Sequence, residues 1–247
     1  MHTELATPRL ICLLGMHRSG TSYLAGALSD AGLFLGDRNQ TGSPFNAKGN
    51  QENQRIVIFH ETVLKAAGGS WDAPPDRIRW ETRHRERAMQ LAAAYPADRL
   101  CGFKDPRTLL HWHEWQTLPI HWQPVGIFRH PQACAASLQT RDGMPASKAI
   151  ALWHTYNQHL LTAWQAHPFP LVDFDQPAIA LQHDVQRVAN WLGLSATSKI
   201  AFFEPALRHT TTRTDTRTDT AAERLHRQLQ DAAESFWTLP EATTDSN

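Results

Sequence analysis

Cysteine is scarce in this sequence. The three present, Cys12, Cys101 and Cys134, lie among apolar or small neighbours; an odd, sparse set argues against a disulfide frame and reads as reduced core thiols. An excess of charge is also missing, with 24 lysines and arginines against 24 aspartates and glutamates. The chain therefore carries no global field to gather nucleic acid or an anionic membrane, and any basic character must be concentrated in a pocket. Long apolar runs are missing too. The run Leu10–Leu14 is too short for a signal-peptide core or a membrane span. These absences predict a cytoplasmic protein with no nucleic-acid partner and no membrane insertion. At 247 residues the chain can bury one sizeable core.

What is present begins where that apolar run ends. Leu10, Ile11, Cys12, Leu13 and Leu14 lead straight into Gly15, Met16, His17, Arg18, Ser19, Gly20, Thr21 and Ser22. Two glycines five apart, between a buried strand and a helix, give a phosphate-loop layout in which backbone N–H groups and the positive helix end converge on an anion. A nucleotide triphosphatase needs a lysine directly after the second glycine. That position is Thr21, and the nearby cation is Arg18, inside the loop; the shift argues against ordinary ATP chemistry. A second constellation starts at Val125–Phe128, which reads as a strand ending in Arg129, His130 and Pro131. Pro131 suits the first turn of a helix, so Arg129 sits at the strand's carboxyl end and Ser137 two turns down that helix. Such a pair can grip a second phosphate, although an arginine capping carbonyls and a solvated serine would look the same.

The loop Gly15–Ser22 together with Arg129 and Ser137 resembles the sulfotransferases that use 3'-phosphoadenosine 5'-phosphosulfate. Further segments are similar to the bacterial branch of that family. Asn46, Ala47, Lys48, Gly49, Asn50, Gln51, Glu52 and Asn53 resemble its Asn-Pro-Lys-Gly-aromatic-Trp-Glu-Asn segment, with the proline and both aromatics replaced and Glu52 kept. Gly69–Asp72, Lys104–Arg107, and Leu152, Trp153, Tyr156 and Asn157 also match, so the resemblance spans roughly residues 9 to 210. It implies that His17, Arg18, Ser19, Gly20, Thr21 and Ser22 hold the 5'-phosphosulfate, and that Arg129 and Ser137 hold the 3'-phosphate. Phe203–His209 looks like a late motif whose basic residues close over the nucleotide, which makes Arg208 a further 3'-phosphate or lid contact, or else a surface arginine.

Strands followed by helices recur at Leu10–Leu14, Leu100–Phe103, Val125–Phe128 and Leu171–Phe174. This alternation predicts an α/β fold: a three-layer sandwich with a central parallel sheet, like that of phosphate-loop nucleoside triphosphatases, with ligands at the carboxyl ends of the strands. Arg18, Lys104 and Arg129 fall at or just past those ends. Residues 1–209 read as one catalytic domain carrying a helical acceptor-site insertion at about 35–95, with helices at Glu52–Ala67 and Arg79–Tyr95. Residues 210–220, rich in threonine, arginine and aspartate, read as a linker or lid. Residues 221–247 form a last helix and tail, whose stripe of Leu225, Leu229, Ala232, Ala233, Phe236 and Trp237 docks on this domain or on a second copy as a homodimer.

Sulfuryl transfer needs in-line positioning, cations on the moving group and leaving phosphate, and a base for the acceptor's proton. Arg18 and Lys104 supply the charge, Lys104 acting on the bridging oxygen by its similarity to the Lys-Asp-Pro triplet of tyrosyl-protein sulfotransferases. Two residues compete for the base. Glu52 stands where the family places a carboxylate near the acceptor, and His60 lies just over two helical turns further on, imidazole being the base of the cytosolic sulfotransferases. Trp71 can stack on adenine or line the acceptor site, and Trp153, Tyr156 and Asn157 share a helical face, but all four suit plain packing better. His111 and His113, two apart, point about 200° from one another on a helix, so no metal is expected. The reading is a sulfotransferase acting on a hydroxyl, or an amine, of a small molecule or glycan. The alternatives are a small-molecule kinase using ATP and a non-catalytic nucleotide-binding adaptor.

Overall fold

The computed structural model describes residues 9–39, 41, 49–194 and 220–239. Along the chain, β1 (Arg9–Leu14) feeds α1 (Thr21–Asp30), and the short strands β2 (Arg38–Asn39) and β3 (Glu52–Asn53) pair antiparallel before α2 (Gln54–Ala66) and α3 (Thr82–Ala93). Then come β4 (Cys101–Lys104), α4 (Thr108–Trp115), β5 (His121–Phe128), α5 (Pro131–Asp142), α6 (Ala146–Ala166), β6 (Leu171–Asp173), α7 (Ala178–Trp191) and α8 (Ala221–Phe236). The main sheet has the order β4-β1-β5-β6, and all three pairings are parallel.

The buried stretches of the main-sheet strands are largely apolar because both faces are covered there. Successive side chains of β1 alternate between the two layers. Ile11 and Leu13 pack with Leu24 and Leu28 of α1 and with Leu181, Val185 and Val188 of α7. Leu10, Cys12 and Leu14 face a larger core built from Phe59 of α2, Trp115 of α4, Trp153 and Tyr156 of α6, and Leu225 and Leu229 of α8. The expected α/β sandwich with a central parallel sheet is thus the observed one. Three of the expected strands differ from the observed ones by no more than a residue at either end. β5, however, begins four residues earlier, at His121, because sheet pairing with Arg9–Cys12 recruits a stretch too polar and proline-bearing to read as a strand.

Local chemistry sets the helix ends. Pro131 opens α5, where the His130 ring accepts a hydrogen bond from the Gln132 N–H, and Gly143 closes it in the left-handed conformation. Asn53 caps α2 and Thr220 caps α8 through their side chains. Leu225, Leu229 and Ala232 of α8 are buried in the larger core. All three cysteines are buried thiols; burial raises the pKa of each, that of Cys134 to about 11. Among the described residues no helix is long and apolar enough to cross a membrane. Arg208 and residues 210–219 and 240–247 lie outside the described residues.

Candidate active site

The carboxyl ends of the four parallel strands lie along one edge of the sheet, and the loop after β1 is its centre. Gly15 has no room for a side chain, since a Cβ there would lie 2.6 Å from the Ile127 carbonyl oxygen. Arg18 and Gly20 both have positive φ, 67° and 87°, a sequence of turns that bends backbone N–H groups inward. Gly20 is also the N-cap of α1, which no side chain caps. The positive end of the α1 dipole therefore points at this loop.

Three cations surround this loop. The Arg18 Nε donates to Ser137 Oγ at 2.8 Å, joining the first motif to the helix of the second. Arg129, 6 % exposed, donates from one guanidinium nitrogen to the Arg18 carbonyl at 3.4 Å and from Nε to Asp175 Oδ1 at 3.2 Å, and lies over the Phe174 ring. Asp175 also accepts from the His130 N–H at 2.7 Å, which locks the chain direction at the end of β5. Lys104, the last residue of β4 and 3 % exposed, donates to Glu52 Oε1 at 2.7 Å, to the Asn50 carbonyl at 2.9 Å and to Ser22 Oγ at 3.4 Å. Its three ammonium protons are thereby directed at three acceptors. Burial, and then the like charges of Arg141 and Arg129, lower the Arg18 pKa, so the loop favours an incoming anion.

Beside Glu52, Gln51 has a φ of 56°. Arg18 and Gln51 are the non-glycine residues with positive φ among those described, and both border this site, as expected where backbone strain serves a function. His17, 8 % exposed, packs against Trp71 with ring centroids 4.4 Å apart and edge-on to Tyr156, whose hydroxyl donates to the Trp71 carbonyl at 2.9 Å. Burial first, then the positive charge of Arg107, pushes the His17 pKa well below the usual histidine value. The Arg141 guanidinium covers the Trp71 ring.

A sulfotransferase from Alicyclobacillus acidocaldarius superposes with a TM-score of 0.50 at 16 % identity, covering 95 % of this chain and 96 % of its own. A sulfotransferase domain from the curacin biosynthetic pathway gives 0.50 at 14 % identity, covering 93 % and 98 %. The chain has the sulfotransferase fold. No family model matches the sequence, and no curated protein matches it.

Within this sulfotransferase fold, the site residues expected from sequence separate into two groups. Along one edge of the sheet, Arg18, Arg129 and Ser137 form one contact set and Ser22, Glu52 and Lys104 another. Ser19 and Thr21 belong to the loop's packing instead: Ser19 is fully buried with its hydroxyl 3.4 Å from Cys134 Sγ, and Thr21 fills the space beside Gly15. His60 is placed differently from the expectation of a base beside Glu52. It is fully buried, its Nε2 accepts from the Trp115 Nε1–H at 2.9 Å, and its Nδ1 therefore donates to Asp105 Oδ2 at 2.7 Å. Both ring nitrogens are engaged in the core, because the two helical turns from Glu52 lead inward rather than along the site. His111 stacks on His60 and accepts from the Trp80 Nε1–H, whereas His113 donates to the Ile78 carbonyl, so these two rings serve separate partners.

Two contributors carried no role in the sequence reading. Asp105 accepts from His60 and, through Oδ1, from both the side chain and the backbone N–H of Arg107. Burial opposes its charge, yet His60 and Arg107 hold its carboxyl well below the usual range. Asp175, which orients Arg129, follows β6 and has no motif around it; its position at a strand's carboxyl end was the one available signal.

Proposed function

We propose that the chain is a sulfotransferase that moves the sulfuryl group of 3'-phosphoadenosine 5'-phosphosulfate to a hydroxyl, or an amine, of a small molecule or glycan. The observation that carries this reading is the meeting of Arg18, Lys104 and Arg129 around a loop whose helix N-terminus has no side-chain cap, with a carboxylate, Glu52, in contact with Lys104. The residues fit a ligand with two anionic ends. One end faces the loop amides, Arg18, Ser22 and Lys104, and the other faces Ser137 and Arg129.

When bound, the nucleotide supplies the activated sulfuryl group. Lys104 then places its ammonium at the oxygen between sulfur and phosphorus, where charge grows as that bond breaks. Glu52 takes the proton of the acceptor hydroxyl at one carboxylate oxygen. The wall of His17, Trp71 and Tyr156 excludes water from the same edge. Burial keeps His17 neutral at physiological pH, so the ring adds packing without charge. Thr21, in the position where ATP enzymes carry lysine, is 4 % exposed and holds the loop's shape. The three buried thiols suit a reducing, cytoplasmic setting.

The test is release of 3'-phosphoadenosine 5'-phosphate from the sulfate donor, followed by chromatography over a panel of phenols, alcohols, sugars and amines. Wild type is expected to give acceptor-dependent release. Glu52→Gln is expected to lower kcat about 10²- to 10⁴-fold, the range for loss of a general base, with a much smaller change in affinity for the bisphosphate. Equal turnover in both would remove Glu52 from the role of base, and magnesium-dependent turnover of ATP instead would replace the reading with that of a kinase.

A further inference from the structure

We propose that His130, Glu223 and His226 form a zinc site that fastens α8 to the head of α5. One ligand atom from each of the three lies within 4.8 Å of the others, and the His130 Nε2 is 3.4 Å from Glu223 Oε2. The two imidazole rings are 5.0 Å apart and nearly perpendicular. His226 is 6 % exposed, and its Nε2 is buried with no hydrogen-bond partner. A buried, unpartnered imidazole nitrogen is costly and uncommon, and a metal ion is the partner that two imidazoles and a carboxylate together select.

The surroundings support a built site. Glu223 and His226 are three residues apart on α8, hence on one face of the helix. The first turn of α8 is fixed by the Thr220 hydroxyl, which accepts from the Glu223 N–H at 3.2 Å. The His130 backbone is held by Asp175, and the rings of Phe128 and Trp153 surround His226 with apolar surface. Ligand atoms about 2.0–2.1 Å from a tetrahedral ion stand roughly 3.4 Å apart. The His130–Glu223 pair already has that spacing at 3.4 Å, and the pairs with His226, within 4.8 Å, close onto the ion. Coordination through Nε2 of His130 moves its ring proton to Nδ1, so the 3.3 Å contact with the Gln132 N–H is given up in exchange. A water molecule completes the fourth position. The ion ties the C-terminal helix to the residue that follows Arg129, and it takes no part in group transfer, so the inference stands apart from the reading of the reaction.

The experiment is titration of chelator-stripped full-length protein with zinc against a chromophoric competitor, with Co²⁺ as a spectroscopic substitute and thermal melting in parallel. Wild type is expected to bind one equivalent, to show the visible bands of tetrahedral cobalt, and to melt at higher temperature with zinc. Glu223→Gln and His226→Asn are each expected to weaken binding at least tenfold and to abolish the rise in Tm. Equal affinity in wild type and both variants would mean adventitious binding to other histidines and would overturn the site, as would the absence of stoichiometric binding. Should His226→Asn fail to fold, Glu223→Gln, altered at a partly exposed side chain, decides alone.

Discussion

Under the proposed function, the ion-paired Lys104 and Glu52 divide the work of transfer between them. Both are held in place by the ion pair, so losing either disturbs the other. Lys104→Ala is expected to lower kcat about 10²- to 10³-fold, the usual effect of removing a donor aimed at developing charge, with a smaller change in nucleotide affinity; steady-state kinetics beside calorimetry separates the two. His60 belongs to a different class. Replacing it with alanine leaves Asp105 buried beside Arg107 without its second hydrogen-bond donor, which costs about 1.5–3 kcal/mol for a lost hydrogen bond to a charged group. Urea unfolding is expected to show that loss, while kcat per folded molecule stays within a few-fold of wild type. A fall of kcat by two orders of magnitude without loss of stability would restore His60 as the base. At this scale the sequence was readable for position where local motifs carry it, as for Arg18, Lys104 and Arg129 at the carboxyl ends of strands. It was unreadable where a partner arrives from elsewhere in the chain. Asp175 reaches Arg129 across 46 positions, and Glu223 reaches His130 across a longer gap still; no spacing rule connects either pair.

Among the elements, the strand-loop-helix unit from β1 to α1 bears the most constraint. A Cβ on Gly20 would sit 2.3 Å from the Phe174 ring, and the residue has a φ of 87°. Gly20→Ala therefore pushes on the ring beneath Arg129 while straining the loop. The expected outcome is a loss of about 1–3 kcal/mol in stability from backbone strain, together with loss of nucleotide binding, measured by melting and by calorimetry on the same sample. The strands were largely legible because a parallel sheet covered on both faces writes itself as continuous apolar runs. The β2–β3 hairpin was not, since two-residue strands carry no periodicity. The first half of β5 was missed for the reason given above: its pairing partner, not its composition, makes it a strand. The α2 helix was foreseen, but the direction in which His60 points depends on how α2 docks against Trp115, and the periodicity of one helix does not contain that.

For the whole molecule, buried histidines couple folding to pH. Burial pushes the pKa values of both His17 and His111 well below the unfolded value of about 6.5. Below that pH the unfolded chain binds protons that the folded chain refuses. Stability is therefore full above about pH 6.5 and falls as pH drops toward the folded values, by up to about 1.4 kcal/mol per pH unit for each histidine. Asp105, whose folded pKa is depressed, adds a further loss below about pH 4 by the same sign. Denaturant melts at pH 7.5 and 5.5 are expected to show the first effect, reduced in His111→Asn.

Under the proposed function this sheet edge holds a nucleotide with two phosphate ends and needs no metal to do so. Calorimetric binding of 3'-phosphoadenosine 5'-phosphate without metal, compared with ATP and magnesium, in wild type and Arg129→Ala, tests it most directly. The expected result is preference for the bisphosphate, weakened tenfold or more by Arg129→Ala, in line with about 1.5–3 kcal/mol for a lost charged hydrogen bond. Preference for ATP with magnesium, or indifference to Arg129, would contradict it.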